Sequence, residues 1–107
     1  MANRDRGFDI SYANTWKRSV KGLPPQVIDR MKSALAEFAD DPSKEVWRVH
    51  MLRQARSKTI YSTDLFKFQS TLYKAIFRKN GRNAEMLWAG THESYNGIIT
   101  SDWLKRQ

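Results

Sequence analysis

The residues best suited to chemistry lie at the end of one apolar stretch, Asn83 to Tyr95. Its middle, Met86 to Ala89, predicts a buried strand, and the stretch then ends in polar residues, namely Thr91, His92, Ser94 and Tyr95. We expect the strand to end at His92, which would place an imidazole at the rim of a sheet. Histidine titrates near neutral pH and is the usual group for proton transfer, although a lone histidine at a strand end is more often a surface residue.

A second strand is predicted beside it, from Thr71 to Lys79. Strand side chains alternate between faces, so Tyr73, Ala75 and Phe77 share one face, which suits a core. Lys74 and Arg78 share the other face. Asn80-Gly81 predicts a type I′ turn that joins the two strands. Lys74 and Arg78 are therefore expected on an open face beside the strand that ends in His92.

These side chains suit the cleavage of RNA without a metal, in which the 2′-hydroxyl attacks the neighbouring phosphorus. That step needs a base, cations around the phosphorane and an acid for the leaving 5′-oxygen. His92 can transfer a proton, Lys74 and Arg78 can supply cations, and Tyr95 can stack on a base or hydrogen-bond a phosphate. The chain has no cysteine and two histidines without metal-ligand spacing, so no metal or cofactor is predicted.

The positive charge is concentrated in one part of the chain. Lys and Arg number 19 against 11 Asp and Glu, a net charge of +8. Residues 44–82 hold ten basic and two acidic residues, so this segment accounts for the whole excess. Such segregation predicts a polyanion partner; a solvated, solubilising face is the alternative. No membrane span or signal peptide is evident, which favours a cytoplasmic protein without a membrane partner.

The remaining elements form the platform for these strands. Phe8 to Tyr12 alternates like a short strand, and a helix with Trp16 and Val20 on one face follows. Pro24-Pro25 opens a second helix with a continuous apolar stripe, which ends before Pro42. Residues 46–52 could form a short strand or an extended arm, and residues 59–65 are predicted to form a strand after a basic loop.

The order of these elements indicates an α+β fold. It consists of an N-terminal strand, an α-helical hairpin and then an antiparallel β-sheet, in the order βααβββ, with a short C-terminal helix or tail capped by Ser101. We expect residues 1–107 to form a single domain.

Four segments, taken in order over about residues 8–96, resemble the RelE/ParE superfamily of toxins from type II toxin–antitoxin systems. The first strand and its lysine-containing helix lead into Leu23-Pro24, as in that family. The striped helix ending at Asp41-Pro42 is similar to the family's second helix. Residues 72–78, Leu-Tyr-Lys-Ala-Ile-Phe-Arg, resemble its Tyr-Arg-x-x-Tyr/Phe strand. Residues 87–95 resemble the Gly-x-His-x-x-Tyr/Phe ending of its mRNA-cleaving members.

The resemblance implies a RelE-type endoribonuclease that cleaves translated mRNA on the ribosome without a cofactor. The catalytic candidates are then His92 and Tyr95, with Lys74 and Arg78 for phosphate charge, Lys74 standing where many members have an arginine. The residues expected to bind RNA are Arg53, Arg56, Lys58, Lys79 and Arg82. The partners would be a cognate antitoxin, the ribosome and mRNA, with operator DNA bound only through the antitoxin complex. The alternatives are a ParE-type inhibitor of DNA gyrase and a non-catalytic protein that binds RNA or the ribosome.

Overall fold

The computed structural model describes residues 7–107, which fold as helices on a five-stranded sheet. In chain order the elements are β1 (Asp9–Tyr12), α1 (Asn14–Val20), α2 (Pro25–Asp40), a 3₁₀ turn (Glu45–Trp47), β2 (His50–Met51), β3 (Ile60–Phe68), β4 (Thr71–Asn80), β5 (Asn83–Thr91), α3 (His92–Ile98) and α4 (Asp102–Lys105). The strand order in the sheet is β1-β5-β4-β3-β2. The α+β fold class and the order of elements are therefore confirmed.

The sheet is mixed rather than wholly antiparallel as the sequence predicted. Strand β1 runs parallel to β5, with Asp9 opposite Asn83 and Tyr12 opposite Met86. The three other pairings are antiparallel. The chain passes through both helices, β2, β3 and β4 between β1 and β5, so no hairpin forces these two strands to run in opposite directions.

The main core lies between the two helices and the face of the sheet that we call the inner face. The apolar stripe of α2 is buried there, including Val27, Met31 and Phe38. Phe38 is fully buried and contacts Phe8 and Phe77 at ring-centroid distances of 5.7 and 5.5 Å. The predicted alternation of β4 is confirmed, because Tyr73, Ala75 and Phe77 all belong to this core.

The opposite, outer face of the sheet is covered in part, although the sequence predicted it to be open. A second cluster of buried residues lies on it, composed of Leu52, Ile60, Ile76, Leu87, Tyr95 and Leu104. The last two come from α3 and α4, so the C-terminal segment folds back over the sheet. Ser101 caps α4 as predicted, accepting a hydrogen bond from the backbone N–H of Leu104 at 3.2 Å.

Two tight turns connect the long strands. Asn80 pairs with Asn83, so the β4–β5 loop is Gly81-Arg82, and only Gly81 has a positive φ, of 61°. This fits a type II′ turn and not the predicted type I′ turn. The β3–β4 turn has positive φ at both Gln69 and Ser70, 49° and 68°, without a glycine. That backbone is strained for ordinary side chains.

Candidate functional site

His92 begins a helix instead of ending a strand. Strand β5 stops at Thr91, whose hydroxyl accepts a hydrogen bond from the backbone N–H of Ser94 at 3.1 Å and so caps α3. His92 is therefore the first residue of α3 and is exposed. Tyr95 follows three residues later on the same side of the helix. The two rings lie almost parallel, 15° apart, with centroids separated by 6.4 Å.

Beneath Tyr95 lies a buried ion pair. The Lys74 Nζ is 4.5 Å from the centroid of the Tyr95 ring, within the range of a cation–π contact. The same Nζ is 2.6 Å from the Asp64 Oδ1. The two residues are 8% and 9% exposed and lie directly opposite each other on β4 and β3. We call His92, Tyr95, Lys74 and Asp64 the His92 cluster.

The indole of Trp88 shapes the wall of this cluster. A shift in the β4–β5 register at Leu87 places Trp88 opposite Ile76 and Gly90 opposite Lys74. A Cβ at Gly90 would lie only 2.7 Å from the Trp88 Cζ2, so the indole passes over the bare backbone of Gly90. Trp88 also contacts Tyr95, at a centroid distance of 6.3 Å. Gly90 is thus explained by close packing rather than by a special backbone angle.

Arg78 is separated from the His92 cluster. It lies four residues beyond Lys74 on β4, about 13 Å at the usual rise per residue. Its guanidinium donates a hydrogen bond to the Gln107 side chain at 3.2 Å and lies 3.7 Å from the Glu85 carboxylate. The structure therefore brings His92, Tyr95 and Lys74 together but places Arg78 near the other end of the sheet.

The five residues predicted to bind RNA fall into two groups. Arg53, Arg56 and Lys58 are exposed on the loop between β2 and β3, at the Arg78 end of the sheet. Lys79 and Arg82 lie at the β4–β5 turn and line a groove between that turn and the segment after α2. Neither group adjoins His92 in the sheet, so any RNA that touches both the cluster and these charges has to run along the protein surface.

Solved structures with similar folds were found by comparison. YafQ from E. coli strain BL21(DE3) superposes with a TM-score of 0.60 at 15% sequence identity, covering 82% of this chain and 97% of YafQ. A chain of the E. coli DinJ–YafQ toxin–antitoxin complex superposes with a TM-score of 0.60 at 15% sequence identity, covering 82% of this chain and 96% of that one. A chain of the RelBE2 toxin–antitoxin complex from Mycobacterium tuberculosis superposes with a TM-score of 0.53 at 21% sequence identity, covering 80% of this chain and 99% of that one.

The chain has the fold of YafQ. The fold implied by the sequence resemblance is therefore confirmed over about four fifths of the chain. No protein-family model matches the sequence, and no curated protein is significantly similar to it. At these identities the comparison establishes the YafQ fold, and the chemistry has to be argued from the side chains themselves.

Sequence reasoning left two residues of the outer face outside the predicted site. Asp64 is the partner of Lys74, and the cross-strand register of a β3–β4 hairpin was the signal that could have identified it. His50 lies opposite Ser62, whose hydroxyl is 3.3 Å from the His50 Nε2. His50 shares the outer face with Lys74 but belongs to β2, three strands away from β5.

The described part of the chain offers neither a metal site nor a membrane span. Among residues 7–107, no three His, Cys, Asp or Glu side chains are grouped so that they could bind a metal ion. Within the same range, no helix is both long and apolar enough to cross a bilayer.

Proposed function

We propose that this protein is the toxin of a toxin–antitoxin pair and that it cleaves mRNA on the ribosome. The main support for the proposal is the position of His92. Its exposed imidazole stacks on the Tyr95 ring, and the buried Lys74 lies against the same ring. The YafQ fold and the charge of +8 support it. The fold alone is compatible with other activities, so the proposal depends on these side chains.

His92 is the proton-transfer group of the proposed reaction. The 2′-oxygen of a nucleotide attacks the adjacent phosphorus, the bond to the 5′-oxygen breaks, and a 2′,3′-cyclic phosphate forms. One proton leaves the 2′-hydroxyl and one is delivered to the 5′-oxygen. Among the described residues His92 makes a ring contact with Tyr95 and no hydrogen bond, so its ring nitrogens are accessible to a substrate.

Tyr95, Lys74 and Asp64 form the support under this imidazole. Tyr95 is 6% exposed and presents its ring to His92, which fixes the height of the imidazole above the sheet. The Lys74 ammonium lies against the Tyr95 ring, and the Asp64 carboxylate holds that ammonium in place. In this proposal Lys74 is a positioning residue, because its ammonium is paired with Asp64 and holds the Tyr95 ring in place under the imidazole.

The exposed cations serve association. Arg53, Arg56 and Lys58 lie on a surface loop and attract ribosomal RNA, so the protein acts where ribosomes are, in the cytoplasm. A cognate antitoxin is the expected protein partner, since the DinJ–YafQ and RelBE2 structures are toxin–antitoxin complexes. In this proposal operator DNA is bound only through the antitoxin complex. Replacing the three loop cations together weakens ribosome binding and reduces the dependence of affinity on salt.

Primer extension on a reporter mRNA in a purified translation system tests the proposal. The wild-type protein is expected to produce cuts at ribosome-positioned codons that are absent on naked RNA. His92→Ala is expected to lose at least about a hundredfold in cleavage rate, a typical contribution of a proton-transfer group, while still binding ribosomes. Asn96→Ala is the matched control, since Asn96 is also polar, exposed and part of α3.

The other outcomes distinguish the alternatives. Cleavage by His92→Ala at the wild-type rate would exclude His92 as the proton-transfer group. Intact message with stalled translation would indicate a ribosome-binding protein without catalysis. Intact message with normal translation would exclude a ribosomal target, and a DNA gyrase supercoiling assay would follow.

A further inference from the structure

A large groove lies at the other end of the molecule from His92. Its volume is about 1220 Å³. One wall is the segment 42–49, which follows α2, and the other is the β4–β5 turn with Gly7 and Phe8. Lys79, in the second wall, is five residues from Lys74 on β4, about 17 Å along the strand. We call this feature the turn-end groove; it is a site separate from the His92 cluster.

The charge of the turn-end groove is strongly positive. Among the described residues that line it are four basic ones, Lys44, Arg48, Lys79 and Arg82, and one acidic one, Glu45. Among residues 7–107, Lys44, Arg48 and Lys79 form no ion pair; Lys79 instead lies 5.9 Å above the Phe8 ring. The charges of Lys44, Arg48 and Lys79 are therefore not neutralised by ion pairs among residues 7–107, and they favour an anionic partner.

The groove also exposes aliphatic side chains, which a polyanion does not require. Val46 and Val49 line it with 68% and 37% of their surface exposed. With Met51 they make up three of the four large apolar residues that are exposed in the described part of the chain, all within six residues. Such clustering of exposed apolar surface is typical of a protein-binding site.

The aromatic residues of the groove argue against single-stranded RNA as its ligand. RNA-binding surfaces offer free aromatic faces on which bases stack. Here the ring of Phe77 is fully buried and stacks with Tyr61 at a centroid distance of 5.8 Å, while Phe8 lies against Phe77 at 6.0 Å. Phe8 and Tyr61 are half-buried and each packs against Phe77, so the most exposed groups of the groove are aliphatic and cationic.

Arg48 holds the first wall in a strained conformation. Its φ and ψ are 49° and 45°, in the left-handed region that non-glycine residues rarely adopt. The strained turn presents Val46, Arg48 and Val49 on one short segment at the groove. Strain of this kind is commonly kept where a binding surface benefits from it.

We propose that the turn-end groove binds a peptide segment that combines acidic and apolar side chains. The acidic groups pair with Lys44, Arg48 and Lys79, and the apolar groups cover Val46 and Val49. The source of the segment rests on the proposed function, under which the antitoxin supplies it. Because the groove is remote from His92, such a segment binds the toxin without occupying the cluster itself.

Chemical-shift mapping by NMR on the isotope-labelled full chain tests this. The probes are a short peptide repeating Glu-Val-Asp-Leu, the same peptide with serine in place of valine and leucine, and an oligouridylate of similar length. We expect the first peptide to shift the amides of residues 44–49 and 79–82 and to bind at least about tenfold more tightly than the serine peptide. Combining Lys44→Gln with Lys79→Gln weakens that binding, whereas Arg53→Gln with Arg56→Gln leaves it unchanged.

Three results would overturn the proposal. They are no binding by the first peptide, equal binding by both peptides, and tighter binding of oligouridylate at the same amides, which would identify the groove as an RNA site. Peptide binding is measured without ribosomes or cleavage. A failure of the nuclease proposal would therefore leave this result unaffected, and the reverse also holds.

Discussion

The ion pair between Asp64 and Lys74 gives the sharpest quantitative prediction. Asp64→Asn keeps the size of the side chain but leaves the ammonium of Lys74, in a residue only 8% exposed, without a carboxylate partner. Removing one member of a buried pair costs about 3–5 kcal/mol. The remaining contact between Lys74 and the Tyr95 ring, at 4.5 Å, offsets part of this, by about 1 kcal/mol. We therefore expect Asp64→Asn to lower the free energy of unfolding by about 3 kcal/mol.

A double-mutant cycle isolates the pair. Lys74→Met alone leaves the Asp64 carboxylate buried and unpaired and is expected to cost about as much as Asp64→Asn. The double variant replaces both charges by neutral side chains of similar shape, so it is expected to be more stable than either single variant. The coupling energy should then be about 3 kcal/mol or more. Urea denaturation followed by tryptophan fluorescence measures all four proteins.

The matched control is the exposed pair between Arg78 and Glu85. Its side chains are 36% and 40% exposed and their charged atoms are 3.7 Å apart. The same cycle there should give a coupling of about 0–1 kcal/mol, because water screens the interaction. A coupling for Asp64 and Lys74 no larger than that of the control would refute the view that this pair is a buried, stabilising support for Tyr95.

Three further predictions concern the surroundings of the His92 cluster. Thr91→Ala removes the cap of α3 and should cost about 1 kcal/mol by urea denaturation, with a lower cleavage rate because His92 is held less firmly; unchanged stability would contradict the capping role. Gln69→Asn combined with Ser70→Gly places residues that tolerate positive φ in the β3–β4 turn and should raise stability by about 1 kcal/mol, whereas a loss would show that the side chains themselves contribute. Gly90→Ala forces the Trp88 indole to move and should cost about 1–3 kcal/mol with a change in tryptophan fluorescence; an unaltered spectrum and stability would show that the indole has room.

Local patterns predicted the inner half of the molecule well. The apolar stripe on α2 and the alternation along β4 each predict which side chains face the core, because side chains recur on one face of a helix or a strand at a fixed spacing. Both were confirmed, and with them the α+β class. The parallel pairing of β1 with β5 was not predictable in the same way, since it depends on contacts between residues more than seventy positions apart.

The candidate site was predicted in its residues but not in its geometry. The motif identified His92, Tyr95 and Lys74, which the structure brings together. The sequence did not show that α3 begins at His92, because Thr91 is equally compatible with a strand residue and a cap. It also did not show that Lys74 is buried, since burial requires the C-terminal segment to fold over the outer face.

The C-terminal segment links the proposed chemistry to stability. It begins with His92 and Tyr95 and ends with Leu104, which is fully buried in the outer cluster, and Gln107, which accepts a hydrogen bond from Arg78. Deleting the segment would remove the imidazole, expose Ile60 and Ile76 and leave Lys74 uncovered, so lost activity would have several causes at once. Point variants on its exposed side separate these causes, because His92 can be changed without touching the buried contacts that hold α3 and α4 on the sheet.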